Sequence, residues 1–447
     1  MTTHIDTSPR TLAAALLVAL AGVACARDEE SLGSIKSSAD ARIHGGKAAP
    51  ARDESAEQLL AEPLTADRAT RLAMLNNARV RAAYEELGIA RSAVVDALRL
   101  PNPELDAAIR FSKEKPEIEL LAMLGLGDFI FMPLRADAAN ADLDATRTEV
   151  VGLVVSLAFD VRAAFYEYQA ALQALELTRT VLRATEASAE AALHMHEAGN
   201  VTDLDLATER AFAEEARVAT RRADTDAAET RSHLAALLGI SDRGIWSAAG
   251  RLADPPREEL PLEALENRAV QQSLELKSTE QRASAASQRA TAEKTERWLP
   301  GLKAGVSARD EGHWSVGPAV SVELPLFYQG QGKVDAALGE ARRQKALGTA
   351  SANDTRNAAH AAATRLTAAR ENALRYRDVL LPLRQRVLDE TELHYNAMTL
   401  GVFQLLAAKR DQITTARTYV ELLRDYWLAR NEVERMKAGG AVREGGR

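Results

Sequence analysis

Leu299 to Lys333 reads LPGLKAGVSARDEGHWSVGPAVSVELPLFYQGQGK, and two alternating runs fill it. Leu302, Ala304, Val306 and Ala308 alternate with Lys303, Gly305, Ser307 and Arg309. After the polar corner Asp310-Glu311-Gly312-His313 the alternation resumes with Trp314, Val316, Pro318, Val320, Val322 and Leu324, separated by small or polar residues. A period of two over two runs of about ten residues predicts a hairpin with one apolar and one hydrated face. About ten residues is also the length a tilted strand needs to cross a bilayer.

The same design occurs earlier. Pro101-Asn102-Pro103 opens a run in which Leu105, Ala107, Ile109 and Phe111 alternate with Asp106, Ala108, Arg110 and Ser112. A second arm carries Ile118, Leu120, Ala122, Leu124 and Leu126 on one face and closes at Met132-Pro133-Leu134, the counterpart of Leu324-Pro325-Leu326. The predicted strands span 103–112, 117–131, 301–310 and 313–325. Four strands cannot stand alone in lipid, because an open edge leaves backbone groups unpaired where no water can satisfy them. Nor do they close a barrel, since the smallest membrane barrels have about eight strands. A membrane-spanning version therefore needs several copies pooling their strands.

Long helices surround each hairpin. Thr65 or Asp67 can cap a helix running to about Leu100. Beyond Pro133, Val154, Leu157, Val161, Phe165, Tyr168, Leu172 and Leu175 form one apolar stripe, and helical sequence continues to about Glu197. Gly199-Asn200 breaks it, and Asp203 to about Leu238 returns. After the Gly- and Pro-containing stretch 239–261 the pattern repeats, with a helix over 265–298, the second hairpin, a helix over 334–396, a turn at Met398–Gly401, and a return over 403–436 whose inward stripe is Ala416, Val420, Leu423 and Trp427. Pro382 is expected to kink the second long helix. Asn77-Ala78-Arg79-Val80 aligns by eye with Asn267-Arg268-Ala269-Val270, Pro103 with Pro300, and Gly199 with Met398, which makes the chain a tandem repeat. The resulting division is an export signal at 1–25, an extended leader at 26–56, a first repeat at 57–246, a linker at 247–261, a second repeat at 262–437 and a disordered tail at 438–447.

The 447 residues contain 4% aromatics and carry a net charge of −8, a balance that speaks for long, closely packed helices and against a nucleic-acid partner. One cysteine excludes an intrachain disulfide and a cysteine metal cluster. Arg10 followed by the apolar run Leu12–Val23 is too short to span a bilayer as a helix and suits a secretory signal. Its end has two readings. Gly22-Val23-Ala24-Cys25 resembles a lipobox, which would lipidate Cys25, although Gly22 stands where that motif usually has Leu; Ala24-Cys25-Ala26 fits ordinary cleavage, which would discard it.

Leu75-Asn76-Asn77 with Ala82-Ala83-Tyr84, Leu100-Pro101-Asn102-Pro103, Val316-Gly317-Pro318 with Leu324-Pro325-Leu326-Phe327 and Gly330-Gln331-Gly332, and Tyr376–Pro382 with Tyr395-Asn396-Ala397-Met398 and Leu405-Leu406 occur in order within the duplicated frame. Together they resemble the TolC family of outer-membrane efflux ducts, in detail its heavy-metal and copper-tolerance branch. The resemblance implies a mainly α fold with a membrane β-barrel: a homotrimer closing twelve strands in the outer membrane of a Gram-negative bacterium above a helical tunnel in the periplasm. A mid-height collar would come from the 239–261 region and the carboxyl-terminal segment. It implies a passive exit duct, not an enzyme, fed by a periplasmic adaptor and an inner-membrane pump of the RND type, with metal ions as the expected cargo and no cofactor. A drug-efflux or type I secretion duct is the alternative within the family, and a soluble periplasmic coiled-coil scaffold the alternative outside it.

On this basis Gly199, Asn200, Met398 and Gly401 are candidate adaptor contacts at the periplasmic tip, or simply helix–helix turns; the family usually has Gly at the position of Met398. Asp203, Asp205 and Gln404 are candidate pore-gate residues, the two aspartates serving equally well to favour a helix amino terminus through its dipole. Leu105, Ile109, Phe111, Trp314, Val316, Val320 and Val322 are the expected membrane-facing side chains. His194 and His196, two apart on a helix, point to different faces and are expected to be solvated rather than metal ligands. Gly330-Gln331-Gly332 lacks the Lys-Ser/Thr pair of a phosphate loop and is read as a turn.

Overall fold

Period-two and period-3.6 segments sort into separate elements in the computed structural model, which describes residues 33–45, 55–111, 116–242, 246–297, 301–310, 313–323, 327 and 329–441. In order these are α1 (residues 33–43), α2 (Ala56–Leu60), α3 (Ala66–Asn76), α4 (Ala78–Ala97), β1 (Glu104–Phe111), β2 (Pro116–Gly125), α5 (Leu126–Glu197), α6 (Asp203–Leu238), α7 (Leu265–Gln272), α8 (Leu274–Glu296), β3 (Lys303–Asp310), β4 (Trp314–Ser321), α9 (Gln331–Arg375), a π turn (Tyr376–Leu380), α10 (Leu381–Asn396) and α11 (Val402–Ala438). Cys25 and residues 442–447 of the expected 438–447 tail lie outside the described residues, whereas Ala438 still belongs to α11 and the Gly440 amide donates to the Arg435 carbonyl (3.0 Å). Among the described residues no helix is long and apolar enough to cross a membrane.

The chain divides into two compact units. One takes in residues 81–152 and 274–354 and holds the sheet; the other, the helical unit, takes in residues 38–80, 153–273 and 355–447. In the sheet-bearing unit all four strands form one antiparallel sheet in the order β1-β2-β3-β4. Below it Arg282 grips Glu149 with two hydrogen bonds of 2.6 Å, and Arg135 donates to both Asp128 and Glu296 at 2.7 Å.

The second arm of the first hairpin is shorter than its alternation suggests. Residues 126–131, expected as strand, begin α5. The amides of Leu126 and Gly127 both donate to the carbonyl of Leu302 (2.9 and 3.1 Å), which turns the chain out of the sheet where β3 is about to begin. Pro133 consequently lies inside the helix. The last arm stops at Ser321 rather than at 325.

In the helical unit the α5 stripe is buried at Val154, Leu157, Val161, Phe165, Tyr168 and Leu175, while Leu172 reaches the surface. The deepest cluster joins Leu265 and Ala269 of α7, Ala359, Ala362 and Leu366 of α9, and Tyr426, Val433 and Met436 of α11. The stripe of α11 thus runs through Tyr426, with Trp427 only partly buried against the cluster. The stretch after α6 is strapped down by side chains: Gln169 donates to the Ala249 carbonyl (2.6 Å), Trp427 to that of Ala253 (2.8 Å), and Tyr419 to Asp254 (2.6 Å). Glu259 accepts from the Tyr426 hydroxyl at 2.7 Å and sits 3.3 Å from Arg430.

Three expectations change here. The helix expected over 65–100 breaks at Asn77, whose side-chain oxygen accepts from the Arg79 amide (2.8 Å) while its side-chain nitrogen donates to the Leu237 carbonyl (2.8 Å). The helix expected over 265–298 breaks likewise at Ser273, so Asn77 corresponds to Ser273 and not to Asn267. Against each break packs the glycine that ends a returning helix: Gly239 (φ 69°) beside Asn76, and Gly439 (φ 84°) beside Gln272. The leader, expected as extended, contains α1, because Ile35, Ala39 and Ile43 recur every four residues and are buried. Arg42 of α1 donates to the carbonyls of Gln272 (3.3 Å) and Ala438 (3.0 Å). Pro382 is accommodated by the π turn before it, in which the Leu381 amide reaches back to the Tyr376 carbonyl.

Candidate functional site: the sheet and the two helical turns

Strand register decides what the sheet can do. Ile109 lies opposite Ile118 and Leu105 opposite Ala122; Ala122 pairs with Val306 and Leu124 with Ala304; Ala304 then pairs with Val320 and Ala308 with Val316. Side chains alternate faces along a strand, so every paired set shares a face. One side of the sheet is therefore apolar across all four strands, broken only at its rim by Asp310 opposite Trp314. Leu105, Ile109, Phe111, Trp314, Val316 and Val320 all lie on it, Phe111 being 88% exposed. Val322 falls just beyond β4 and is also exposed. Among the described residues nothing covers this surface, which is far more apolar than a water-facing sheet tolerates.

The opposite face carries the sheet's charges, with Leu121 and the buried Met123 as its apolar members. Glu119 lies 3.4 Å from Arg110 on β1 and 3.0 Å from Arg309 on β3, bridging three strands. Lys303 reaches across β2 to Glu104 at 2.6 Å. Gly305 is required beneath them, since a Cβ there would sit 1.8 Å from the Ala122 carbonyl oxygen. The Glu119–Arg309 and Lys303–Glu104 links of this ladder escaped sequence reading because they join residues of different hairpins, which only the β2–β3 register brings together. The edges β1 and β4 each pair on one side only.

Each long-helix turn is built on one left-handed residue. In the α5–α6 turn Gly199 has φ 75°, and the Asn200 amide donates back to the Met195 carbonyl (2.8 Å). Thr202 then caps α6: its hydroxyl oxygen accepts from the Asp205 amide (3.2 Å), and the Asp205 carboxylate accepts from both the amide and the hydroxyl of Thr202. Asp205 is thus engaged in the cap, whereas the Asp203 side chain is 96% exposed and lies 3.3 Å from His196. His194 lies 3.5 Å from Glu197, and no group of three metal-ligating side chains occurs among the described residues.

In the α10–α11 turn Met398 takes φ 58°, the conformation Gly199 takes in the first, at a cost of about 1–2 kcal/mol for a side-chain-bearing residue. Its side chain is 94% exposed. Thr399 beside it donates from its hydroxyl to the His394 carbonyl at 2.9 Å. Gly401 precedes α11 with no side-chain cap, and Gln404 sits exposed in that helix's first turn.

No family model matches the chain. The cobalt-zinc-cadmium resistance protein CzcC of Cupriavidus metallidurans is 23% identical over 388 residues, 84% of this chain and 90% of the relative. Among solved structures, CusC superposes with a TM-score of 0.66 at 16% identity, over 88% of this chain and 96% of its own. The outer-membrane protein VceC of Vibrio cholerae gives 0.68 at 14% identity, over 85% and 97%. The outer-membrane channel MtrE of Neisseria gonorrhoeae gives 0.65 at 16% identity, over 84% and 89%. The chain is similar in sequence to CzcC and has the fold of the TolC-family outer-membrane proteins CusC, VceC and MtrE.

Proposed function

We propose that this protein is the outer-membrane channel of a tripartite efflux system, a passive exit duct for metal ions delivered by an inner-membrane pump through a periplasmic adaptor. The observation that carries this reading is the sheet, with a face that is apolar over four strands except for Asp310 at its rim, a charged opposite face and two edges paired on one side only. Three copies supply twelve strands, above the minimum of about eight for a closed membrane barrel. Closure turns the Arg110–Glu119–Arg309 side toward water and the Leu105–Val320 side toward lipid. The turns at Gly199-Asn200 and Met398–Gly401 meet the adaptor, and Asp203, Asp205 and Gln404 stand behind them at the entrance.

Two experiments test the reading. Membrane fractions should retain the protein through salt and carbonate washes and release it, as a cross-linkable trimer, only in detergent; release by salt alone would sink the proposal. Deletion of the gene should lower the tolerated concentration of cobalt, zinc, cadmium, copper or silver while leaving drug tolerance unchanged. The opposite pattern would reassign the cargo.

A further inference from the structure

Within the helical unit, α5, α6 and α11 line a half-open cavity of about 230 Å³. Val181, Phe212, Ala216 and Ile413 give it apolar walls. Arg410 lines it as well, with its guanidinium carbon 3.8 Å from the centroid of the Phe212 ring. The Nη1 atom of Arg410 is buried and meets no hydrogen-bond acceptor among the described residues. A cation's N–H shut away from water without an acceptor carries a desolvation cost that a bound acceptor removes, most completely when the acceptor is an anion.

The other charges at the cavity define its guest. Arg417 is turned to Glu421, 3.2 Å away, whereas Nη1 of Arg410 is buried without an acceptor among the described residues. Glu215 also lines the cavity and disfavours a guest with more than one negative charge. An apolar cavity of about 150 Å³ is enough to hold benzene. The larger volume here therefore accommodates a six-membered aromatic ring with one small polar substituent.

We propose that this cavity is a binding site for a small aromatic monocarboxylate. Its ring lies against Phe212, Val181 and Ile413, and its carboxylate accepts from Nη1 of Arg410. Such a guest bridges the α5–α6 hairpin to α11, and the site is independent of the cargo path proposed above.

The test uses the detergent-solubilised full-length protein and the photoprobe 4-azidobenzoate. Adducts are expected on residues 177–185, 212–219 or 410–417, with protection by excess benzoate. Benzyl alcohol, the neutral isostere, should need at least a tenfold higher concentration to protect. R410M should weaken labelling at least tenfold, and A216F, which fills the cavity, should abolish it, each with a helical circular-dichroism spectrum like that of wild type. Adducts confined to other segments, equal protection by benzyl alcohol, or labelling of R410M and A216F within twofold of wild type would overturn the site. The wild-type arms decide the matter alone if either variant fails to fold.

Discussion

Replacing Gly439 by alanine tests the junction on which the carboxyl-terminal helix ends. Gly439 is left-handed at φ 84°, which costs an alanine about 1–2 kcal/mol. Its Cβ would also lie 2.0 Å from the Gln272 carbonyl oxygen and 2.8 Å from Nη1 of Arg42, so the α7–α11 junction must open by about 1.4 Å to restore ordinary contact. Such overpacking costs about 1–3 kcal/mol. Opening also stretches the hydrogen bonds from Arg42 to Gln272 and Ala438, worth about 1 kcal/mol or more together. The sum is about 3–6 kcal/mol. Gly199→Ala is the internal control, because Gly199 has φ 75° but nothing within 4 Å of its Cβ position, so only the backbone term of about 1–2 kcal/mol applies. Urea titrations followed by far-ultraviolet circular dichroism should put Gly439→Ala about 2–4 kcal/mol below Gly199→Ala. Equal midpoints for the two variants would refute the reasoning, since the contact with Gln272 would then contribute nothing.

Val316→Lys places a charge on the apolar face and should cost up to about 2–4 kcal/mol in lipid, whereas Gly317→Lys on the opposite face meets open space; the first should lose the detergent-resistant trimer and the second keep it. Glu119→Gln leaves Arg110 and Arg309 without their shared carboxylate, so reversal potentials across a planar bilayer in a potassium chloride gradient should move toward the chloride value, and an unchanged potential would place the ladder outside the conducting path. Burial and the adjacent Glu259 carboxylate push the Tyr426 hydroxyl up to about 12. The unfolded value is about 10, so the fold favours the neutral phenol: its contribution is complete below about pH 10 and vanishes as pH climbs toward about 12. An alkaline absorbance and circular-dichroism titration should show coupled tyrosinate formation and loss of helix in that window, absent from Tyr426→Phe.

The hairpins were legible because a sheet writes its two faces into alternate residues, as Val316-Gly317-Pro318-Ala319-Val320 does. The long helices were legible from their stripes, and the left-handed conformation shared by Gly199 and Met398 follows the equivalence drawn from the repeat. The breaks at Asn77 and Ser273 were not. A one-residue interruption leaves the apolar periodicity on either side intact, and what breaks the helix is a cap plus a glycine from a segment more than 160 residues away. Asn77 followed two residues later by a capped amide was the available local signal. The α1 stripe, only Ile35, Ala39 and Ile43 in a polar stretch, depends on burial for its meaning. The charge ladder needed a pairing between β2 and β3, whose partners lie 190 residues apart at Glu119 and Arg309.

The half-paired rims of β1 and β4 bear on how such a protein comes to be made. A newly exported chain would meet the bilayer with adhesive borders that membrane and water both penalise, so its lifetime alone would be dangerous. Insertion would then be a many-body event whose yield climbs steeply with the number of chains present. Sparse expression would favour capture by proteases, and crowded expression would favour fibrous mispairing, leaving a window of synthesis rate between the two.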